Sequence, residues 1–145
     1  MEKLYENKIR EYNLKSLKII KKLSQVKFNK KFMLILTNNI LNIYNFETNE
    51  TLKDTIQLNE TINYFDFHCS NESILYICAG PNAVIYEIEN QKIKELCVIE
   101  GHFTEITYAS FNPFKPNIFL TFSKNDTIKI YDITNDLPMN LIVLD

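Results

Sequence analysis

Three side chains near the end of the sequence could form a hydrolase-like trio, namely His102, Ser123 and Asp126. A serine nucleophile needs a histidine base and a carboxylate that orients the imidazole. It also needs a sharp turn that exposes its hydroxyl and backbone donors that hold the oxyanion. No G-x-S-x-G segment surrounds Ser123, and Gly80 and Gly101 are the only glycines of the chain. The sequence therefore favours a structural histidine at position 102 and predicts no enzymatic activity.

Metal and cofactor chemistry is also poorly supported by the spacing of the residues. His68 and Cys69 are adjacent, but no other His or Cys lies at the spacing of a zinc site. Two glycines cannot build a phosphate-binding loop or a dinucleotide-binding motif. The three cysteines (Cys69, Cys78 and Cys97) lie in or beside apolar strand patterns, so we expect buried, reduced thiols. We accordingly expect no metal and no cofactor.

The elements that must carry these residues repeat along the chain. Four short phrases share a tyrosine, and these tyrosines are Tyr12, Tyr44, Tyr86 and Tyr131. The last two spacings are 42 and 45 residues, which is the period of four-stranded propeller blades. A second series of aromatic residues follows the same rhythm at positions 28, 67 and 111. A single blade cannot bury both of its apolar faces, so neighbouring blades must stack.

Short segments rich in Ile, Val, Phe and Tyr, separated by Asn, Asp, Ser or Pro, predict β-strands. The predicted strands are 25–28, 32–36, 40–46 and 55–58, then 62–67, 74–79, 83–88 and 93–99, then 106–111, 118–123, 127–133 and 141–144. Two further strands, around Tyr12 and at 17–23, would belong to an incomplete preceding blade. The predicted fold is all-β, a partial β-propeller within one domain, 1–145. Its parts are an incomplete blade at 1–23 and blades at 24–59, 60–100 and 101–145.

Charge is distributed unevenly, although the net charge is only −2. Residues 1–31 carry 10 Lys/Arg against 3 Asp/Glu, whereas residues 32–145 carry 6 against 15. A basic segment can attract nucleic acid or an anionic membrane. However, no aromatic residue interleaves the lysines between positions 15 and 22, as single-strand binding would prefer. Because lysine also protects exposed sheet edges, the sequence favours a solvated edge over direct nucleic-acid binding.

Hydropathy argues against a membrane partner. No apolar stretch approaches the ~20 residues that a membrane-spanning helix needs. The first residues, M-E-K-L-Y-E-N-K, have no apolar core like that of a secretory signal. We therefore expect an intracellular protein.

Residues 101–132 carry a recognisable pattern, with Gly-His at the start, then F-N-P, then P-N-I-F-L-T-F-S and finally T-I-K-I-Y-D. This segment resembles a WD repeat. In that family a hydrogen-bond network ties each blade together, and the resemblance places its members at His102, Asn125, Thr121 and Tyr131. Two members depart from the family pattern, because Asn125 replaces a carboxylate and Tyr131 replaces a tryptophan.

The last two blades share further features over residues 75–135. These are a blade without Gly-His, an Ala-Gly turn and the pattern P-N-x-x-L-x-x-S-K. In these features the chain is similar to the Polycomb family of EED, or extra sex combs, proteins. The resemblance implies a non-catalytic nuclear scaffold whose partners are a histone-lysine methyltransferase and a histone tail. It also implies an aromatic cage for trimethyl-lysine. The first two positions of this cage fall on Ser24 and Asn63. Tyr64 is adjacent to Asn63 and is the expected peptide-binding residue.

Another reading stays open beside this one. The chain could be a general WD-repeat adaptor of another intracellular assembly, such as a ubiquitin ligase or an RNA-processing complex, and be cytoplasmic. Three blades cannot close a ring that usually needs at least four. We therefore expect a truncated or split product, or one that another chain completes, with apolar surface exposed at both ends.

Overall fold

The structure is a computed structural model that describes residues 23–125, 127–134 and 139–144. Strands and turns make up this described part, which contains no helix and hence none that could cross a membrane. The predicted strand around Tyr12, and nearly all of the one at 17–23, lie outside the described residues.

Three antiparallel sheets follow one another along the chain, and we refer to them as the first, second and third blade. The first contains β1 (Leu23–Phe28), β2 (Phe32–Thr37), β3 (Ile40–Asn45), β4 (Glu50–Thr51) and β5 (Ile56–Gln57). The second contains β6 (Ile62–Phe67), β7 (Ile74–Ala79), β8 (Asn82–Glu89) and β9 (Lys92–Ile99). The third contains β10 (Ile106–Phe111), β11 (Ile118–Ser123), β12 (Ile128–Asp132) and β13 (Met139–Leu144). The all-β prediction of a partial β-propeller is confirmed, whereas the blade boundaries at 24, 60 and 101 stay a prediction.

The repeated aromatic residues occupy equivalent positions in the sheets. The tyrosine of the third strand pairs with Met33 in the first blade, with Leu75 in the second and with Phe119 in the third. All three of these tyrosines are buried, at positions 44, 86 and 131. The repeat in the sequence is therefore a repeat of register, and in the second and third blades it places the tyrosine in the apolar cluster shared with the preceding blade.

Two apolar clusters hold the blades together. One joins the first and second blades, and its members include Leu34, Ile43, Phe65 and Ile77, which are fully buried. The other joins the second and third blades, with members such as Tyr76, Ile85, Phe111 and Phe119. Burial of a large apolar side chain contributes roughly 1.5–3 kcal/mol, so stacking is the main stabilisation of each sheet.

The outer edge of the first blade differs from the prediction. A single strand was expected at 55–58, but two short strands, β4 and β5, both pair with β3. Between them Leu52 turns inward and is buried, and its N–H donates to the carbonyl of Ile43 at 2.8 Å. The chain therefore leaves the sheet edge to bury this side chain and rejoins it at Ile56.

The cysteines divide into three environments. Cys78 is fully buried, and burial raises the pKa of its thiol to about 12, as suits a small apolar core residue. Cys97 is half-buried. The expectation was wrong for Cys69, which is exposed because it lies in the turn after β6, where its thiol donates to the carbonyl of Asn112 at 3.4 Å.

Tight turns connect the second and third strands of the first two blades. Asn38 and Asn39 form a two-residue loop with φ of 49° and 62°, the left-handed conformation that a type I′ hairpin requires at both positions. At the equivalent place in the second blade, Gly80 has a φ of 53°. Its carbonyl accepts the N–H of Ile106 at 2.9 Å, so this turn also links the second blade to the third.

Substitution of Gly80 tests this turn. Gly80→Ala is expected to lower the free energy of unfolding by about 1–2 kcal/mol, because a Cβ is strained in the left-handed region. The added Cβ would also lie 3.1 Å from the Glu60 side chain. Asn38→Gly is the matched control, since it relieves a positive φ and should not destabilise. Urea denaturation of the two variants measures both effects, and equal stability of Gly80→Ala and the unmodified chain would refute the assignment.

Candidate protein-binding surface on the third blade

His102 lies in the segment that joins the second blade to β10. Its side chain is 7% exposed, and Nε2 is 2.6 Å from the hydroxyl of Thr121, which is fully buried in the middle of β11. Burial and, to a lesser degree, the nearby Lys129 ammonium lower the pKa of His102. The hydrogen bond between the imidazole and the buried hydroxyl holds this connecting segment on the sheet.

The other two members predicted for the network lie close by without closing it. The Tyr131 hydroxyl is buried and has no partner among the described residues that meets hydrogen-bond geometry, although Thr121 is near enough to influence its pKa. Burial raises that pKa, and the Thr121 hydroxyl opposes the rise. Asn125 is an exposed turn residue, and no described residue bonds to Nδ1 of His102. Only the link between His102 and Thr121 is formed, and the four-membered network stays a prediction.

The hydrolase-like arrangement is not assembled in the described part of the chain. The Ser123 hydroxyl lies 3.5 Å from the carbonyl of Thr127 and makes no bond to His102. Asp126 lies outside the described residues. The imidazole Nε2 that a nucleophile would need is engaged by Thr121, so the geometry supports a structural role for His102.

His68 has a turn-forming role that sequence reasoning missed. Its Nδ1 accepts the N–H groups of the second and third residues that follow, at 3.1 and 3.0 Å. Asn29 and Asn112 come directly after β1 and β10, as His68 comes directly after β6. Each accepts the N–H groups of the second and third residues that follow through its side-chain oxygen. Since Nδ1 accepts, Nε2 carries the proton and donates to the carbonyl of Pro116 at 2.9 Å. His68 thus replaces a turn asparagine and ties the second blade to the third.

No group of three His, Cys, Asp or Glu side chains within the described residues could hold a metal ion.

Phe103 directly follows His102 in the sequence, and its side chain is fully exposed. Beside it lies a groove of about 290 Å³, lined by Thr104, Asn125, Thr127 and Lys129 among others. The Lys129 ammonium donates to the carbonyl of Gly101, which fixes the start of the same loop. Aromatic residues, phenylalanine among them, are enriched in protein-binding surfaces, so this loop is a candidate contact site.

A second aromatic residue projects from the opposite end of the third blade. Phe114 lies in the turn between β10 and β11 and is also almost fully exposed. Asn112 holds this turn by accepting the N–H groups of Phe114 and Lys115. The third blade therefore presents one phenylalanine at each end, which gives a matched pair for experiments.

Tyr64 lies on β6, the first strand of the second blade, in a group of aromatic side chains. Its ring stacks on Tyr76 with centroids 6.3 Å apart and meets Tyr108 at 5.2 Å. The Lys27 ammonium lies 5.5 Å from the ring centroid and is held by Asp66 at 3.1 Å. The chain's own lysine therefore lies over this ring. A peptide-binding role of Tyr64 stays a prediction.

The two other positions that the resemblance gave to a cage contribute no aromatic ring. Asn63 has a buried side-chain amide nitrogen without a partner among the described residues. The side chain of Ser24 lies outside the described part of the structure.

Comparisons with known proteins identify the architecture. Neither a protein-family model nor a curated protein matches the sequence. Among solved structures 632 chains match, so the likeness does not single out one assembly. One of them belongs to the crystal structure of a mitotic checkpoint complex, with a TM-score of 0.65 and 14% identity. The match covers 84% of this chain and 36% of that chain, which is a WD40-type propeller. It supports a partial β-propeller that spans about a third of the matched chain's length.

Proposed function

Starting from a partial propeller of stacked blades, we propose that this chain is a non-catalytic scaffold that binds a protein partner through the loop at 101–105. The single observation that carries the proposal is the geometry of Phe103. Its ring is fully exposed, while the preceding residue, His102, is buried and bonded to the sheet. The bond of His102 fixes the backbone next to Phe103, so binding does not have to order this segment of the chain.

The surroundings of Phe103 define the chemistry of the partner. The ring offers an apolar face, and the adjacent groove is lined mainly by hydroxyl and amide side chains with the single ammonium of Lys129. We therefore propose a partner segment with an apolar anchor that packs on Phe103, next to hydrogen-bonding or acidic groups. Such a rim adds specificity more than affinity.

Phe103→Ser is expected to reduce partner recovery at least tenfold, because truncation of a central aromatic anchor costs about 2 kcal/mol or more. Phe114→Ser removes an equally exposed phenylalanine from the other end of the same blade and should leave recovery unchanged. The measurement is quantitative affinity purification of the tagged full chain and both variants at equal expression. Equal loss in both variants, or no loss in either, would contradict the assignment of this loop.

The finer identity of the assembly is a separate proposal. We propose an EED-type role in a nuclear histone-lysine methyltransferase complex, supported by the sequence likeness over residues 75–135. Co-purification from nuclear extract is the test. Recovery of a methyltransferase catalytic subunit in a Phe103-dependent manner is expected. A consistent Phe103-dependent partner of another assembly, such as a ubiquitin ligase or an RNA-processing complex, would favour the general adaptor instead.

A further inference from the structure

Lys129 is a half-buried cation that has no anionic partner in the described part of the chain. The other two half-buried lysines of that part each pair with a carboxylate. Lys27 pairs with Asp66 at 3.1 Å. Lys31 pairs with Glu47 at 3.4 Å. Because a charge that is partly withdrawn from water is costly unless it is paired, the Lys129 ammonium is poised to take up an anion.

The hydrogen bonding of this ammonium leaves donors free. An ammonium has three N–H groups, and the only hydrogen bond of Lys129 within the described residues is to the carbonyl of Gly101. A bond to a neutral carbonyl does not balance the positive charge. Lys129 can therefore bind an anion through its other two donors and still hold the start of the loop.

The groove of about 290 Å³ beside Phe103 is suited to such an anion. Lys129 is the one lysine among the described residues that line the groove, and none of these residues carries a carboxylate. Thr104 and Thr127 also line it, and their hydroxyls make no hydrogen bond to a described residue. A carboxylate has two oxygens that only accept, so an ammonium and two free hydroxyls match it.

The cation and the exposed ring belong to the same loop. Lys129 bonds to Gly101, which precedes Phe103 by two residues. Two residues of chain span at most about 7 Å, and an extended partner segment advances about 3.3 Å per residue. One partner segment can therefore pack an apolar side chain on Phe103 and reach the ammonium within about three residues.

We propose that the partner segment carries an Asp or Glu within about three residues of its apolar anchor, and that this carboxylate binds Lys129 together with the hydroxyls of Thr104 and Thr127. The inference rests on the function proposed above, because it takes Phe103 as the anchor site. A carboxylate balances the single positive charge of the groove, whereas a phosphoserine, with a charge of about −1.5 to −2, would exceed it.

Selection of random nine-residue peptides displayed on phage, with the full chain as bait, tests this chemistry. Counter-selection on Phe103→Ser removes the peptides that bind elsewhere. The remaining peptides should share a large apolar residue and an Asp or Glu at a fixed spacing. In a synthetic copy of one such peptide, replacement of the acidic residue by its amide should weaken binding about fivefold or more. This difference should shrink as the salt concentration rises.

Reversal of the charge at Lys129 separates recognition from a structural effect on the loop. Lys129→Glu should select peptides with Lys or Arg at the former acidic position, an exchange of preference that a loosened loop would not produce. Lys129→Gln, which keeps a donor for the Gly101 carbonyl, should select no charge at that position. Lys124→Glu is the matched control and should keep the acidic preference, because Lys124 is exposed and pairs with Glu105 at 3.7 Å. Thermal denaturation confirms that each variant is folded.

The outcomes distinguish this inference from the function on which it rests. Phe103-dependent peptides without an acidic residue, or the same acidic preference in Lys129→Glu, would overturn the carboxylate site and leave binding through Phe103 intact. Tighter binding of a synthetic peptide with phosphoserine at the acidic position would also overturn it, in favour of a phosphate. The absence of any Phe103-dependent peptide would overturn both proposals.

Discussion

Replacement of Phe119 by alanine is expected to lower the free energy of unfolding by about 3–5 kcal/mol, the usual cost of removing a buried aromatic ring. Phe119 is fully buried between the second and third blades. Its ring centroid lies 4.7 Å from that of Phe111 and 5.1 Å from that of Tyr76. No neighbouring loop can fill the space, because both faces that line it belong to sheets with fixed register. The substitution should therefore separate the third blade from the second.

Urea denaturation followed by tyrosine fluorescence measures this effect. Phe103→Ala is the matched control, because it makes the same chemical change at a fully exposed ring and should alter stability by less than about 0.5 kcal/mol. Amide hydrogen exchange adds the location of the damage. Loss of protection in β10–β12, with β2 and β3 still protected, is the expected pattern. Similar stability losses for both substitutions would show that the blades do not stack as described.

Thr121→Val is expected to destabilise the chain by about 1–3 kcal/mol, since it keeps the side-chain shape but leaves His102 buried without its bonded hydroxyl. The 2.6 Å contact is between two buried groups, so the loss of the hydroxyl removes a bond inside the sheet. Ser110→Ala, which removes a part-buried hydroxyl bonded to a backbone carbonyl at 3.2 Å, is the control. It should cost clearly less than Thr121→Val in thermal denaturation.

The same histidine gives the chain a defined response to acid. The pKa of His102 is lower in the folded chain than its ordinary value of 6.5, first because of burial and then because of Lys129. Below pH 6.5 the unfolded chain therefore binds a proton that the folded chain does not, and stability falls as the pH is lowered. At pH 7.5 the imidazole is neutral in both states and the effect is absent.

A His102→Gln variant should lose this part of the pH dependence while being less stable than the unmodified chain at pH 7.5. The quantity to compare is the difference in the free energy of unfolding between the two chains, measured from pH 7.5 down to pH 5. The difference should shrink as the pH falls. Parallel curves would mean that His102 titrates normally and is not held in a buried neutral form.

Much of the fold could be predicted because it depends on periodic features of the sequence. The recurrence of tyrosines and phenylalanines about every 40–45 residues predicts equivalent strands, and the structure keeps the register of the tyrosines from blade to blade. The two-residue turns were predictable from residue type instead, because asparagine and glycine tolerate a positive φ. The gap between β4 and β5 was not predictable, because the inward turn of Leu52 depends on space left by the neighbouring blade.

The candidate site was predicted less completely. The resemblance to WD repeats led to the pair His102 and Thr121, whose bond the structure forms. The resemblance did not point to Phe103. The exposure of this side chain depends on how the connecting segment crosses the end of the sheet, which the sequence does not show. The role of His68 could have been found from the offsets of 39 and 44 that place Asn29 and Asn112 at equivalent turns. The peptide-binding role of Tyr64 stays a prediction, and the approach of Lys27 to its ring could not be foreseen because it depends on the stacking of two blades.

Site-specific cross-linking tests the central claim that a buried histidine fixes the loop that presents an exposed aromatic ring to a partner protein. A photoreactive phenylalanine analogue at position 103 is expected to form an adduct with a different protein in cells, whereas the analogue at position 114 is not. Combination with Thr121→Val should weaken the adduct at position 103 while the chain stays folded. Equal adducts at both positions, or an adduct at 103 that ignores the loss of the Thr121 hydroxyl, would contradict the account.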